Sequence, residues 1–188
     1  KMRIKAVVFD LGGVLLTDPQ YKEFWKNHQE ADELKELFGR GKLSISEFGK
    51  RGEKMFRISK DEFLEEHKKA YTNVERMDEV INIFKKIKIA KYILSDSNPV
   101  HMPYIKKNFK DVLKLAKKAY FSPELGTKKT DLETFELLLK DIGVAPSEMV
   151  LVDNREDCLV EPKREGIRTI LFKFPEQLVK DLKRLGME

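Results

Sequence analysis

The stretch AVVFDLGGVLLTD, residues 6–18, divides into two halves with different demands. The first half is a run of apolar, mostly β-branched and aromatic residues without alternation, the pattern of a strand buried on both faces of a sheet. The second half places a carboxylate, Asp10, at the strand's end and then gives up side chains at Gly12 and Gly13. A buried strand needs neither feature. A backbone that must approach a bound charged group has use for both, because glycine lets amides come close where a Cβ would otherwise stand.

Four further short apolar runs follow, at residues 92–94, 119–121, 149–152 and 169–172. Between the later runs lie helical spacings, as in Leu132, Phe135, Leu138 and Ile142, or Leu178, Val179, Leu182 and Leu185. Strands alternating with helices predict an α/β chain: a three-layer, Rossmann-like parallel sheet covered on both faces. Residues 18–88 break the alternation and offer only helical signals. Tyr21, Phe24, Trp25 and His28 share one face, and Met77, Val80, Ile81, Phe84 and Ile87 share another. Ser44 with Glu47, and Ser59 with Glu62, have capping-box spacing at two helix starts. The expectation is a core of residues 1–17 and 89–188, with a small helical cap of residues 18–88 inserted after the first strand.

With 188 residues, 41% of them apolar, the chain suits one compact core with a small inserted lobe. Charged residues reach 37%, above the roughly 25% of an average globular protein. Lys+Arg exceed Asp+Glu only by 37 to 32, a net +5. Such mixed signs describe a solvated surface and argue against nucleic acid as the partner. The single Cys158 excludes an internal disulfide and a multi-cysteine zinc site, and reads as a small buried hydrophobe. His28 and His67, in the helical interval, read as packing or surface residues. No run approaches the ~18 apolar residues of a membrane span, and no charged-then-apolar leader precedes the first strand, so a cytoplasmic protein is expected.

In an open parallel sheet, ligands bind outside the carboxyl ends of the strands. After the first strand comes Asp10; after the second, Ser95 and Asp96; after the third, SPELGTKKTDLE (residues 122–133) with Lys129; after the fourth, Asp153, Asn154 and Asp157. Each residue type has a task around a phosphoryl group. Asp10 can attack phosphorus and form an acyl-phosphate. Gly12 and Gly13 admit backbone amides, and Ser95 can donate a hydroxyl hydrogen bond. Lys129 precedes Thr130, which has capping-box spacing with Glu133, so a helix start would add its positive end to the ammonium. Asp10 and Asp153 would repel each other without a cation between them. Mg²⁺, a hard ion that prefers carboxylate, carbonyl and phosphate oxygens, suits that place.

Together these residues resemble the haloacid dehalogenase superfamily, most of whose members are Mg²⁺-dependent phosphatases. VVFDLGGVLL (residues 7–16), YILSDSN (92–98), LGTKKTD (125–131) and VLVDNREDC (150–158) look like its four motifs in order. GKLSISEF (41–48) resembles a cap segment of the subgroup that includes sugar-phosphate phosphatases and the phosphatase domain of soluble epoxide hydrolases. The resemblance implies that Asp10 is the nucleophile and a metal ligand, and that Lys129 is catalytic. It implies that Gly12, Gly13, Ser95, Asp96 and Lys129 bind substrate. Asp153, the carbonyl of Gly12 and, through water, Asp157 would complete the Mg²⁺ site. The implied substrate is a small phosphorylated metabolite, and the implied form a monomer or homodimer.

The pattern departs in one decisive place. Phosphatases of this family usually carry a second aspartate two residues after the nucleophile, as general acid and base, and here that position is Gly12. General acid–base help is worth about 10² to 10⁴ in rate, so slow turnover is expected. Val14, Asn154 and Thr130 are milder departures. Asp18, Asp96 and His101 are candidates to supply the proton, each with an ordinary capping or surface reading beside it. Two other readings stay open: a protein that binds Mg²⁺ and phosphate without turnover, and a metal-independent dehalogenase that uses Asp10 on carbon.

Overall fold

A computed structural model describes residues 3–187. Five strands form one sheet: β1 (Ala6–Phe9), β2 (Ala90–Ser95), β3 (Lys118–Phe121), β4 (Met149–Asp153) and β5 (Arg168–Leu171), in the order β3-β2-β1-β4-β5 with every pairing parallel. The central β1 explains its unbroken apolar run. Val7 and Phe9 point into the cluster on one face of the sheet, and Ala6 and Val8 into the cluster on the other. Both faces are covered, so both sets of side chains are buried.

The helices are α1 (Tyr21–Trp25), α2 (Asp32–Gly39), α3 (Ile45–Phe56), α4 (Lys60–Thr72), α5 (Asp78–Lys86), α6 (His101–Asn108), α7 (Lys110–Leu113), α8 (Ser122–Leu125), α9 (Leu132–Ile142), α10 (Val160–Arg164) and α11 (Pro175–Arg184). Helices α5, α6 and α11 supply the first face through Phe84, Ile105 and Leu182, and α9 supplies the second through Phe135 and Leu138. Helices α1 to α4 build a separate core around Trp25, Phe38, Phe48 and Phe63. Phe38 and Phe48 stack there at 3.7 Å between ring centroids. A Cβ on Gly52 would overlap the Phe63 ring, so glycine lets α3 and α4 approach closely.

Helix α5 lies within the interval expected to be cap, yet its buried face packs on the sheet. Val80, Ile81 and Phe84 join the β1 cluster, with Phe84 and Phe9 4.8 Å apart at their centroids. Helical periodicity cannot say which core a helix face will join, and packing groups α5 with the sheet rather than with α1 to α4. Ser44 forms the full capping box with Glu47, and Ser59 accepts from the Glu62 amide at 3.2 Å. The box expected at Thr130 does not form, because α9 starts one residue later with Asp131 as its flanking residue. A turn closed by the Asp131 amide on the Lys128 carbonyl, 2.9 Å, leaves Thr130 exposed. Among the described residues no helix is long and apolar enough to cross a membrane.

Candidate active site

Parallel pairing brings all strand C-termini to one edge, and register brings two carboxylates side by side. Phe9 pairs with Val152, so Asp10 and Asp153 are the next residues out of adjacent strands. The Asp10 amide still donates to the Val152 carbonyl at 2.8 Å. Lys129, delivered by the loop after β3, joins the two: its Nζ lies 2.7 Å from Asp10 Oδ1 and 2.6 Å from Asp153 Oδ2. All three side chains are buried, with residue exposures of 4%, 0% and 2% for Asp10, Asp153 and Lys129.

One ammonium between two buried carboxylates leaves a net negative charge in a poorly solvated place. Burial pushes the Asp10 carboxyl up to about 7, against the pull of Lys129 and with the repulsion of Asp153 adding to it. Burial would depress the Lys129 ammonium, but Asp10, Asp153 and Asp96 outweigh it and hold the group above the ordinary lysine range. Asp10 Oδ1 also accepts from the Leu11 amide at 2.7 Å, whereas its Oδ2 takes no hydrogen bond among the described residues. That leaves one carboxylate oxygen without a partner, in a group that lines a cavity of about 1220 Å³ between sheet edge and cap.

The other expected residues fall in three groups. Gly12 and Ser95 line this cavity. Asp96 lines it too, but its Oδ1 accepts from the Lys129 amide at 3.1 Å and its Oδ2 is buried without a partner. Its visible work is therefore to place Lys129. Gly13 has φ +77° and turns the chain, and a Cβ there would overlap the Asn154 amide. Asp157 is drawn away: its carboxylate pairs with the Arg155 guanidinium at 2.5 and 3.1 Å. The Arg155 amide in turn donates to Asp153 Oδ1 at 2.9 Å. Cys158 is buried and burial pushes its thiol up to about 12, in keeping with an inert packing residue.

Residues not singled out for binding in the sequence form the rest of the wall. His67, on α4, and His101, at the start of α6, both reach the cavity, and each has one buried ring nitrogen without a partner, Nδ1 and Nε2 respectively. His101 stood in the sequence only as a candidate proton donor, and His67, between Glu66 and Lys68, has no spacing that marks it for the cavity. The cap is tied to the core by Lys128 Nζ, 2.5 Å from Glu36 Oε1, by an ion pair of Arg40 with Asp131, and by Ser122 Oγ donating to the Gly39 carbonyl at 2.7 Å. The sequence shows these as ordinary surface charges. Only the fold sets α2 against the loop before α9.

A buried aspartate at the central strand's end, a lysine bridging it to a second aspartate, and a helical cap over a cavity make up the candidate site. The chain belongs to the haloacid dehalogenase-like hydrolases, whose family model matches residues 4–157. It is 29% identical over 194 aligned positions to a D-ribitol-5-phosphate phosphatase of Bacteroides thetaiotaomicron, covering 88% of this chain and 90% of that one. Its fold is shared with a predicted HAD-like family hydrolase from Porphyromonas gingivalis, with TM-score 0.80, 21% identity and full coverage of both chains. A HAD-family enzyme of B. thetaiotaomicron, solved in complex with magnesium and inorganic phosphate, superposes with TM-score 0.74 at 23% identity, covering 90% of this chain and 94% of that one.

Proposed function

We propose that this chain is a Mg²⁺-dependent phosphatase for a small phosphorylated metabolite, of the polyol- or sugar-phosphate kind, acting through an aspartyl-phosphate on Asp10. The observation that carries it is the Asp10–Lys129–Asp153 bridge, in which Asp10 lines the cavity and keeps one oxygen without a hydrogen bond. The similarity to a D-ribitol-5-phosphate phosphatase supports the substrate class.

The donor chemistry suits the metal. Among the described residues no group of three or more acidic, histidine or cysteine side chains is placed to hold a metal ion by itself. Two carboxylates and a carbonyl are instead the sparse oxygen set of Mg²⁺, which keeps waters and shares the substrate's phosphate. A carboxylate offers about four lone-pair sites, so Asp153 can accept from Lys129 and Arg155 and still ligate. Asp10, Asp153 and the Gly12 carbonyl would hold the ion, and Asp157, bound to Arg155, stands outside the set. When bound, the metal offsets the negative charge that phosphate brings to two carboxylates.

The chain's own residues then divide the work. Lys129 holds Asp10 Oδ1 so that Oδ2 faces phosphorus, and its ammonium attracts the phosphoryl oxygens. Ser95 is buried beside them, its hydroxyl only weakly engaged with the Asp96 carbonyl at 3.4 Å and so able to turn to phosphate. On the cavity wall, His67 and His101 each offer an unpartnered ring nitrogen to substrate hydroxyl groups.

The test is phosphate release from a panel of small phosphate esters, D-ribitol 5-phosphate among them, with and without Mg²⁺ and beside an Asp10→Asn control. Metal-dependent release that the control lacks is the expected result. Phosphate and Mg²⁺ binding without release from any ester would favour a binding protein. Metal-independent chloride release from 2-chloropropionate would favour a dehalogenase instead.

A further inference from the structure

We propose that Asp18 is the general acid and base of this site, supplying from the loop after the first motif the carboxylate that Gly12 lacks. The inference rests on the phosphatase reading above and adds a catalytic residue to it. A Cβ placed on Gly12 would lie 3.2 Å from Asp18 Oδ1, and one placed on Gly13 would lie 2.9 Å from Asp18 Oδ2. The Asp18 carboxylate therefore fills the space into which an aspartate at position 12 would project. It also lines the same cavity as Asp10.

The backbone delivers it there by a tight reversal. The amides of Leu15 and Leu16 both donate to the Leu11 carbonyl, at 2.9 and 2.8 Å, and the Gly13 amide donates to the Leu16 carbonyl at 2.7 Å. The returning chain is then clamped to the segment leading into α5. Thr17 donates its amide to the Glu75 carbonyl at 2.9 Å, and the Glu75 amide donates to Thr17 Oγ1 at 2.9 Å. The residue immediately before Asp18 is thus held on both its backbone and its side chain. Asn154 Nδ2 donates to Asp18 Oδ2 at 3.3 Å.

Two departures from the family pattern meet at this one carboxylate. An acidic residue at 154 would repel Asp18, whereas the asparagine amide steadies it. A carboxylate at 12 would crowd and repel it, whereas glycine leaves the space open. The other candidates have no such placement: Asp96 is bonded to the Lys129 amide, and the His101 ring contacts the Ser97 hydroxyl at 3.4 Å.

In the first step Asp10 Oδ2 forms a bond to phosphorus as the bond from phosphorus to the ester oxygen breaks. Protonated Asp18 gives its proton to that leaving oxygen, releasing an alcohol and becoming a carboxylate. In the second step Asp18 takes a proton from water as the water oxygen bonds to phosphorus. The bond from phosphorus to Asp10 breaks, inorganic phosphate leaves, and Asp18 is again protonated.

The test compares Asp18→Asn with the wild type, with Mg²⁺ present, on D-ribitol 5-phosphate and on p-nitrophenyl phosphate. The alkyl ester needs a proton on its leaving oxygen, and its turnover should fall by about 10² to 10³-fold. Nitrophenolate leaves unaided, so the variant should give a burst of it followed by slow turnover. Intact-mass measurement should then find a phosphoryl group accumulated on the protein. A double variant, Gly12→Asp with Asp18→Ser, should recover turnover of the alkyl ester. An Asp18→Asn enzyme as fast as wild type on both esters, or one that loses the nitrophenolate burst along with alkyl turnover while keeping its thermal midpoint, would overturn the role of Asp18 alone. A wild type that releases phosphate from neither ester would overturn the phosphatase reading and this assignment together.

Discussion

At the scale of single residues, the Lys129 ammonium is shared by two buried carboxylates, Asp10 and Asp153. Removing one partner of a buried charge cluster leaves the rest uncompensated, which costs about 3 to 5 kcal/mol. Lys129→Met should lower the thermal midpoint sharply in metal-free buffer. Mg²⁺ should then raise the midpoint of the variant by more than it raises the wild type's, since the ion takes over the neutralising role. Equal shifts in the two proteins would mean that Asp10 and Asp153 do not share a cation. The placement of Asp10 and Asp153 was legible in the sequence, because each closes its own apolar run and parallel pairing sends such ends to one edge, and Lys129 lies in the segment that follows the third run. Their partners were not. The two glycines look alike in sequence, yet Gly13 serves a turn at φ +77° while Gly12 clears room for Asp18. The pull of Arg155 on Asp157 depends on a side-chain path that spacing does not encode.

At the scale of elements, local signals succeeded where the deciding contact is itself local. The Ser44 box is complete: Glu47 donates its amide to Ser44 Oγ at 3.2 Å and its carboxylate accepts from the Ser44 amide at 2.9 Å. The same spacing at Thr130 and Glu133 failed because a tertiary contact intervened, with Asp131 drawn to Arg40 of the cap and to the Lys128 amide. This contrast makes a paired prediction. Ser44→Ala should cost about 1 kcal/mol, the usual loss on removing a helix cap, whereas Thr130→Ala should change stability by under about 0.5 kcal/mol, as for an exposed residue without such a role. Chemical denaturation of the two variants checks it, and an equal loss in both would restore a capping role to Thr130. Helix α5 teaches the complementary lesson. Its apolar face was plain in the sequence, but a face carries no label for the core it will join, and only the closeness of Phe84 to Phe9 assigns it to the sheet.

At the scale of the whole molecule, the cap and the sheet enclose a cavity whose wall includes two buried histidines, and this couples the site to global stability. Burial lowers the His67 imidazole from 6.5 to about 3, with the neighbouring His101 adding to the effect, and burial lowers His101 to about 4. Both are therefore neutral in the folded protein at pH 5, where the unfolded chain holds a proton on each. Stability rises with pH wherever the unfolded state binds more protons, so each histidine takes stability away as pH falls from above 6.5 toward its folded value. Asp10 acts in the opposite direction, since its folded pKa of about 7 lets the native state keep a proton that the unfolded chain has lost. The wild type's own pH profile mixes these contributions, and the difference from a variant separates them. His67→Leu keeps an apolar group among Phe24, Trp25, Phe48 and Phe63 and deletes one titrating site. Relative to the wild type, its unfolding free energy should gain about 2 kcal/mol between pH 7.5 and pH 5, the cost of the proton that unfolded His67 would bind. Denaturant unfolding of both proteins at the two pH values measures that difference. A gap that stays constant would mean that His67 is protonated in the folded state at pH 5, and hence that water or a charged partner reaches it through the cavity.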